Sequence, residues 1–135
     1  MDDCIFCKIV KGEVPSYKVY EDDNFLAFLD HTPVNSGHTI IIPKKHHETF
    51  LDLPDDILTK VLMVIKKIAP AIVNGTGASG FNLNLNNGRV AGQMVFHAHW
   101  HIIPRHESDG LKHWLSRDYG VGEAEEILEK IKNKL

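Results

Sequence analysis

Cysteine is scarce in this chain, and its scarcity excludes a disulfide-stabilised scaffold. Only two cysteines occur among 135 residues, and they stand close together as Cys4 and Cys7. Small secreted domains of the disulfide-rich type carry several such residues. The protein is expected to be cytoplasmic because it has neither a membrane span nor a start typical of a signal peptide. In such a reducing compartment a close pair serves as metal ligands or as a redox pair, or simply packs on one face of a helix.

Long apolar runs and an excess of one charge are also missing. No apolar run approaches the roughly 20 residues that span a bilayer, and the acidic start Met1-Asp2-Asp3 is unlike a signal peptide. The formal net charge is only −3 at pH 7. This argues against a nucleic acid polymer or a membrane as partner, so any phosphate ligand must be held by local groups. The glycine run Gly75–Gly80 lacks the Lys-Ser/Thr ending of a P-loop and is read as a connector.

The composition and the apolar spacing predict one globular domain over residues 1–135. Apolar residues make up 43% of the chain and charged residues 24%, which is ordinary for such a domain. The predicted helices are 4–11, a long one from about 54 to the glycine run, and 123–134; the predicted strands are 18–21, 25–30, 38–43, 81–86 and 96–104. The first two strands should form a hairpin. The last two should pair antiparallel, with Phe81, Leu83 and Leu85 facing the core.

Three alternating histidines stand in the last predicted strand. Successive side chains of a strand point to opposite faces, so His97, His99 and His101 should share one face. Phe96, Ala98, Trp100 and Ile102 should line the other face. Imidazole has an ordinary pKa near 6.5, so neighbouring rings can act as nucleophile, as donor to an anion, or as metal ligand. Three histidines with a water would also suit a catalytic zinc ion, so the residues alone leave both readings open.

Two polar features flank this strand in the sequence. Asp30 ends a predicted strand, where a carboxylate suits a ribose diol but is also common as a solvated turn residue. The loop Asn87–Gln93 is bounded by glycines and leads directly into the histidine run. Its backbone N–H groups can therefore be presented near the imidazoles.

The run His97-Ala98-His99-Trp100-His101 followed by two isoleucines resembles the signature of the histidine triad (HIT) superfamily, and especially its nucleotide-binding and phosphoramidase branch. Other landmarks of that family follow in the same order: Cys4–Ile9, Phe28–Asp30, Gly37–Thr39, Ile42–His46, Asn86–Gly88 and Gly92-Gln93. The resemblance covers about residues 4–105 and leaves 106–135 as a variable extension. It implies an α+β, HIT-like fold, in which an antiparallel sheet of about five strands is backed by one long helix. Short helices stand at both ends, and two copies form a homodimer.

The same resemblance implies an activity. His99 would attack the α-phosphorus of a purine nucleoside monophosphate derivative, such as a phosphoramidate, and form a nucleotidyl-histidine that water hydrolyses. His101 would bind the phosphate oxygens, and His38 would help to set the tautomer of His99. Two alternatives remain, a dinucleoside polyphosphate hydrolase and a nucleotide-binding zinc protein without catalysis.

Further residues acquire roles only through the resemblance. Phe6 would pack on the base and Asp30 would bind the ribose, while Asn86 and Gln93 would contact the phosphate or the leaving group. Met94 stands where the family commonly has serine or threonine, so the protonation of the leaving group is expected to differ. The resemblance to zinc-binding members adds a ligand set made of Cys4, Cys7, His46 and His97. Four such ligands close a tetrahedral site, which would make the zinc structural.

Overall fold

One antiparallel sheet of five strands forms the centre of the protein, in the order β1-β2-β3-β5-β4. The strands are β1 (Lys18–Glu21), β2 (Phe25–Leu29), β3 (Thr39–Pro43), β4 (Gly80–Leu85) and β5 (Trp100–Arg105). The computed structural model describes residues 3–135, so Met1 and Asp2 of the acidic start lie outside the described residues. The predicted hairpin of β1 with β2 and the antiparallel pairing of β4 with β5 are both confirmed.

Three helices accompany the sheet: α1 (Ile5–Val10), α2 (Asp55–Thr76) and α3 (Glu123–Lys132). Short 3₁₀ turns stand at Phe50–Asp52 and Arg89–Ala91. The α+β fold with one long helix is therefore confirmed. Within residues 3–135, no helix combines the length and the apolar character that crossing a bilayer requires.

Helix α2 is amphipathic, and its apolar stripe packs on one face of the sheet. Its buried residues recur with helical spacing: Val61, Val64, Ile65, Ile68, Ala69 and Ile72. The helix continues beyond Pro70, which lies on the exposed side. It ends at Gly77, whose φ of +68° is the left-handed conformation that glycine adopts without strain.

The two faces of the sheet have different partners. Trp100 and Ile102 of β5 belong to the core under α2. On the opposite face, Phe6 of α1 packs with residues of β2 and β3, including Phe28 and Ile40. His101 is the β5 partner of Ile40 and lies on this second face, which we call the histidine face. The predicted two-sided character of the last strand is thus confirmed.

The boundary of that last strand was predicted wrongly. β5 begins at Trp100, not at Phe96, so His97 and His99 lie in the extended segment that leads into it. Phe96 is half-exposed beside Arg89 and does not belong to the core. The cause is a long-range contact, because the Ala98 N–H bonds the His47 carbonyl outside the regular ladder (2.7 Å).

Strand β4 lies at an edge of the sheet, and this changes the fate of its apolar side chains. Phe81, Leu83 and Leu85 do share the face of the core, as predicted. However, β4 is an edge strand, and its Phe81 and Leu83 remain 44% and 42% exposed. The prediction that both are core residues is therefore wrong for the isolated chain.

Residues 106–122 carry no helix or strand, and their first turn is fixed to the sheet by one carboxylate. Asp109 forms a two-pronged ion pair with Arg105 (2.8 and 3.2 Å). It also accepts bonds from the Asn35 amide and from the backbone N–H groups of His106 and Leu111. The guanidinium of Arg105 holds the pKa of Asp109 well below its ordinary value.

Candidate active site and metal cluster

His99 is held in a single tautomer by a backbone carbonyl. Its Nδ1 lies 2.7 Å from the carbonyl oxygen of His97. A carbonyl only accepts, so Nδ1 carries the proton and Nε2 keeps its lone pair. Burial lowers the pKa of His99, which keeps that lone pair free at neutral pH. His99 therefore presents an unprotonated nitrogen, the form a nucleophile requires.

His101 is oriented by a relay through His38. The Val34 N–H donates to Nδ1 of His38 (3.1 Å), so the proton of His38 resides on Nε2. That Nε2–H donates to Nδ1 of His101 (2.8 Å) and leaves an N–H on Nε2 of His101. Burial lowers the pKa of His101 to about 4, so this ring is a neutral donor at pH 7. A neutral N–H of this kind suits a phosphate oxygen.

His38 consequently acts on a different ring from the one that the sequence predicted. It was expected to help set the tautomer of His99, but its hydrogen bond goes to His101. The His97 carbonyl performs the expected task. The rings of His99 and His101 nevertheless meet edge to face, with centroids 4.9 Å apart, so the nucleophile and the donor share one site.

Asp30 and Phe6 lie at opposite ends of this site. The carboxylate of Asp30 directs Oδ2 toward Nε2 of His38 at 3.7 Å, and its Oδ1 accepts the Thr32 N–H (2.9 Å). The ring of Phe6 stands edge-on to that of His99, with a centroid distance of 5.1 Å, and is 6% exposed. A planar apolar wall and a fixed carboxylate thus flank the two imidazoles. The expected roles in base and ribose binding stay predictions.

The side-chain amide of Gln93 uses its oxygen and both of its N–H groups in hydrogen bonds within the protein. Its amide nitrogen donates to the carbonyls of Glu48 (2.6 Å) and Val95 (3.1 Å), and its oxygen accepts the Gly88 N–H (2.9 Å). Both amide hydrogens are therefore engaged, and the residue is 1% exposed. This geometry fits a residue that fixes the loop before the histidines. The predicted contact with the phosphate or the leaving group has no free N–H donor here.

Asn86 and Met94 occupy the two ends of the same loop. The Asn86 side chain donates to the Gly92 carbonyl over a long 3.4 Å. Gly92 has a φ of +92°, and a Cβ there would come within 3.3 Å of that amide, so the turn depends on glycine. Met94 is 80% exposed and lines a cavity of about 410 Å³ together with Cys4 and His46. It therefore borders the cysteine pair as well as the loop, and its expected effect on the leaving group stays a prediction.

The four predicted metal ligands do come together, and we call this group of four side chains the metal cluster. One ligand atom from each of Cys4, Cys7, His46 and His97 lies within 4.8 Å of every other. Nδ1 of His97 is 3.5 and 3.6 Å from the two sulfurs, and Nδ1 of His46 is 3.4 Å from that of Cys7. Bonds of about 2.1–2.3 Å in a tetrahedron give ligand separations of roughly 3.4–3.8 Å. The cluster has the size and the donors of a closed metal site.

The hydrogen bonds around His97 also suit a ligand. Its Nε2–H donates to the Pro43 carbonyl (2.7 Å), which leaves the lone pair on Nδ1 facing the sulfurs. Burial lowers the pKa of His97 to about 4, so the ring is neutral. His97 thus differs from His99 and His101, because its ring faces the sulfurs of the candidate metal site and does not point toward the proposed phosphate position. The three-histidine metal centre that the sequence left open is not formed.

Sequence reasoning missed the backbone groups that set these tautomers. The Val34 N–H and the Pro43 and His97 carbonyls orient His38, His97 and His99 respectively. Every residue offers the same main-chain groups, so no residue type marks them in a sequence. Asp109 was also missed, although only Asn35 among its partners is distant in the sequence.

Known proteins share the family and the fold of this chain. The HIT domain family model matches residues 11–108. An uncharacterized HIT-like protein of Methanocaldococcus jannaschii is 53% identical over 107 residues, which cover 79% of this chain and 82% of that protein. The adenosine 5'-monophosphoramidase HNT1 of Candida albicans is 39% identical, over 98% of this chain and 91% of its own length. Adenylylsulfatase HINT3 of Arabidopsis thaliana is 48% identical, over 85% of this chain and 57% of its own length.

Two solved structures agree with these relatives. A HIT family protein from Bacillus subtilis has a TM-score of 0.88 at 42% identity, covering 98% of this chain and 97% of its own. A Zn-bound histidine triad family protein from Mycobacterium smegmatis has a TM-score of 0.78 at 35% identity, with 99% of both chains covered. The chain belongs to the HIT family.

Proposed function

We propose that the protein is a nucleotidyl hydrolase that acts on purine nucleoside phosphoramidates through a covalent intermediate on His99. The observation that carries this proposal is the bond from Nδ1 of His99 to the His97 carbonyl, because it leaves the lone pair of Nε2 free beside the His101 ring, which is a neutral donor. The names of two relatives, an adenosine 5'-monophosphoramidase and an adenylylsulfatase, support an adenylyl compound as substrate.

The chemistry follows from the two rings. Nε2 of His99 bonds to the α-phosphorus as the phosphorus–nitrogen bond breaks, and the amine departs with a proton taken from water, which is returned to solvent when water later attacks the phosphorus. The imidazolium that forms keeps its Nδ1–H on the His97 carbonyl, which stabilises the new positive charge. His101 donates its Nε2–H to a phosphate oxygen. Water then breaks the Nε2–phosphorus bond and releases the nucleoside monophosphate.

The substrate binds, in this proposal, with its base on Phe6 and its ribose on Asp30. An apolar aromatic wall does not read the hydrogen-bonding edge of a base, so purines should be poorly distinguished. Asn86 and Met94 border the leaving group, while Gln93 fixes the loop that carries them. Dinucleoside polyphosphates are the competing substrate class, and relative turnover of the two classes separates them.

His99→Asn tests the mechanism. The variant should lose at least 10³-fold in kcat, because removing a nucleophile eliminates the covalent route. AMP binding should persist, since Phe6 and Asp30 remain. Intact-protein mass spectrometry after acid quench should show a nucleotidyl adduct on wild type and none on the variant. His113→Asn, on the exposed extension, is the control. Near-normal turnover in His99→Asn would overturn the proposal.

We also propose that the metal cluster binds zinc in a structural role. Two thiolates and two imidazoles are the donor set that Zn²⁺ prefers, and all four positions are filled by protein. The ion would contribute stability by joining α1 to the segments around His46 and His97, without a free position for substrate.

Metal analysis should find about one zinc per chain in purified protein. Replacing both cysteines with serine should lower the thermal midpoint by several degrees, because ligand binding to the folded state adds to its stability. The residual turnover of the folded fraction should fall less. A protein purified without chelator that contains no metal would contradict the zinc site. A requirement for added metal in turnover would contradict its structural role.

A further inference from the structure

His97 belongs to the metal cluster and to the active site at once. Its ring presents Nδ1 to the sulfurs of Cys4 and Cys7 and donates from Nε2 to the Pro43 carbonyl. Its own carbonyl accepts the Nδ1–H of His99. The position of the metal cluster therefore affects the tautomer of His99, the proposed nucleophile, through His97. If the two cysteines move away, the His97 ring loses its contacts with both sulfurs. The His97 carbonyl is then held less firmly in place.

Helix α1 makes a second connection between the two sites. Phe6 lies between Cys4 and Cys7 in the sequence, and its ring stands edge-on to both His97 (5.9 Å) and His99 (5.1 Å). A displacement of the cysteines in so short a helix must displace Phe6. The wall proposed to carry the base would then move with the cluster.

The cysteines can be reached from solvent. Both are free thiols and only partly buried. A cavity of about 410 Å³ opens over Cys4 and His46, with Met94 and Glu48 at its border. The two sulfurs lie no more than 4.8 Å apart, so a modest rotation of the side chains brings them within bonding distance. A small oxidant can therefore enter this cavity and meet two neighbouring cysteine sulfurs.

We propose that Cys4 and Cys7 form a reversible oxidation site that disables the nucleophile by releasing the metal. The oxidant is a peroxide. One thiolate attacks a peroxide oxygen, the O–O bond breaks, and a sulfenic acid forms with loss of one water after protonation. The second thiolate displaces the remaining oxygen as a second water and closes the disulfide. Two electrons pass from the sulfurs to the peroxide, and the ion departs because a disulfide is not an anionic ligand.

The effect on catalysis follows from geometry and rests on the proposed function. A free imidazole populates both tautomers, and only one of them offers Nε2 as a lone pair. Misplacement of a reacting group by about 1 Å can lower the rate by roughly 10²-fold. We therefore expect oxidation to lower kcat by about 10- to 100-fold, and to weaken AMP binding by about 3- to 10-fold through Phe6.

The test treats the zinc-loaded, full-length protein with hydrogen peroxide. Four readouts are followed in parallel: intact mass, zinc released to a chromogenic chelator, AMP affinity by calorimetry, and the His99 tautomer from nitrogen-15 NMR of its ring. We expect a mass loss of about 2 Da for the two thiol hydrogens, one zinc released per chain, and a tautomer mixture at His99. Dithiothreitol with zinc should restore every value.

The reversal separates cysteine oxidation from damage to Met94, because dithiothreitol does not reduce methionine sulfoxide. Met94→Leu provides the matched variant and should lose the same fraction of its own untreated activity. Release of zinc with an unchanged His99 tautomer and unchanged AMP affinity would overturn the coupling. Failure to form the disulfide would overturn the oxidation site. If no phosphoramidate is hydrolysed, the proposed function fails, while mass, zinc and tautomer still decide this inference.

Discussion

At the scale of single residues, the pKa values of the buried histidines set the working pH range. Burial lowers the pKa of His99, and it lowers that of His101 to about 4. As the pH falls through 6.5, both rings should stay neutral in the free enzyme. The acid limb of kcat/KM should therefore lie below pH 6.5, because this profile reports the free enzyme. A limb at or above 6.5 would contradict the assignment.

The same shift makes a prediction for stability. An unfolded His101 binds a proton near pH 6.5, and the folded residue binds one only near pH 4. The unfolded state thus holds more protons between these values, so the free energy of unfolding should fall as the pH drops from 6.5 to 4. Above 6.5 this residue should have no effect on the slope. Urea unfolding of His101→Gln should show a shallower decline, whereas the exposed His113→Gln should match wild type.

How much of the site could be predicted differs between side chains and main chain. The alternating run identified His99 and His101, and the family pattern identified Asp30 and Phe6. The direction of each proton could not be predicted, because it depends on carbonyls and N–H groups that every residue possesses. For this reason His38 was assigned to the wrong neighbour. Gln93 was assigned to the phosphate or the leaving group because no local pattern indicates that its amide already hydrogen-bonds to Glu48, Val95 and Gly88.

At the scale of elements, Gly37 determines how the start of β3 approaches the end of α2. Its φ is +92°, and an added Cβ would stand 2.4 Å from Cγ2 of Thr76. Gly12 also has a positive φ (+77°) but open space around it. Alanine at Gly12 should therefore cost about 1–2 kcal/mol from the backbone alone. Alanine at Gly37 should cost about 1–3 kcal/mol more, because overpacking is added.

Thermal and urea unfolding of the two variants measures this difference. Thr76→Ser removes Cγ2 and retains a hydroxyl for the Ile72 carbonyl. Introduced into Gly37→Ala, it should recover most of the excess cost and none of the cost at Gly12. Equal losses in the free energy of unfolding for Gly37→Ala and Gly12→Ala would show that the close approach of Gly37 to Thr76 adds no cost. Because His38 follows Gly37 directly, the alanine variant should also lower kcat.

The strand boundaries show why element limits were only partly predictable. β1 was predicted over its observed limits, because its turn residues and apolar pattern are local signals. β5 began four residues later than predicted, because Ala98 bonds to His47 instead of continuing the ladder. Exposure at β4 could not be foreseen either, since alternation indicates a face but does not reveal that a strand is an edge.

At the scale of the whole molecule, we expect two copies to associate through the uncovered side of β4. Phe81 and Leu83 lie exposed on this edge, and Leu62 and Met63 of α2 are exposed as well. Apolar residues grouped at a free sheet edge favour strand addition by another chain. The wild-type protein should therefore have about twice the chain mass of 15.2 kDa by light scattering at micromolar concentration.

Replacing both Phe81 and Leu83 with glutamate should give a folded monomer, because charges would be buried against charges in the paired state. Leu51→Glu, which changes a more exposed leucine (88%) in the turn Phe50–Asp52, should remain paired. Circular dichroism checks that the fold persists. A wild-type protein that stays monomeric at high concentration would contradict this assembly.

The anchoring of Asp109 has a consequence for how this architecture can diversify. The HIT match stops at residue 108, one position before the carboxylate that ties the chain to Arg105. Among the described residues, hydrogen bonds from the extension to the sheet end with Leu111. The sequence after Leu111 can therefore be exchanged, lengthened or fused to another module without disturbing β5. The same sheet can thus carry different tails, and the tail can vary in evolution independently of the sheet.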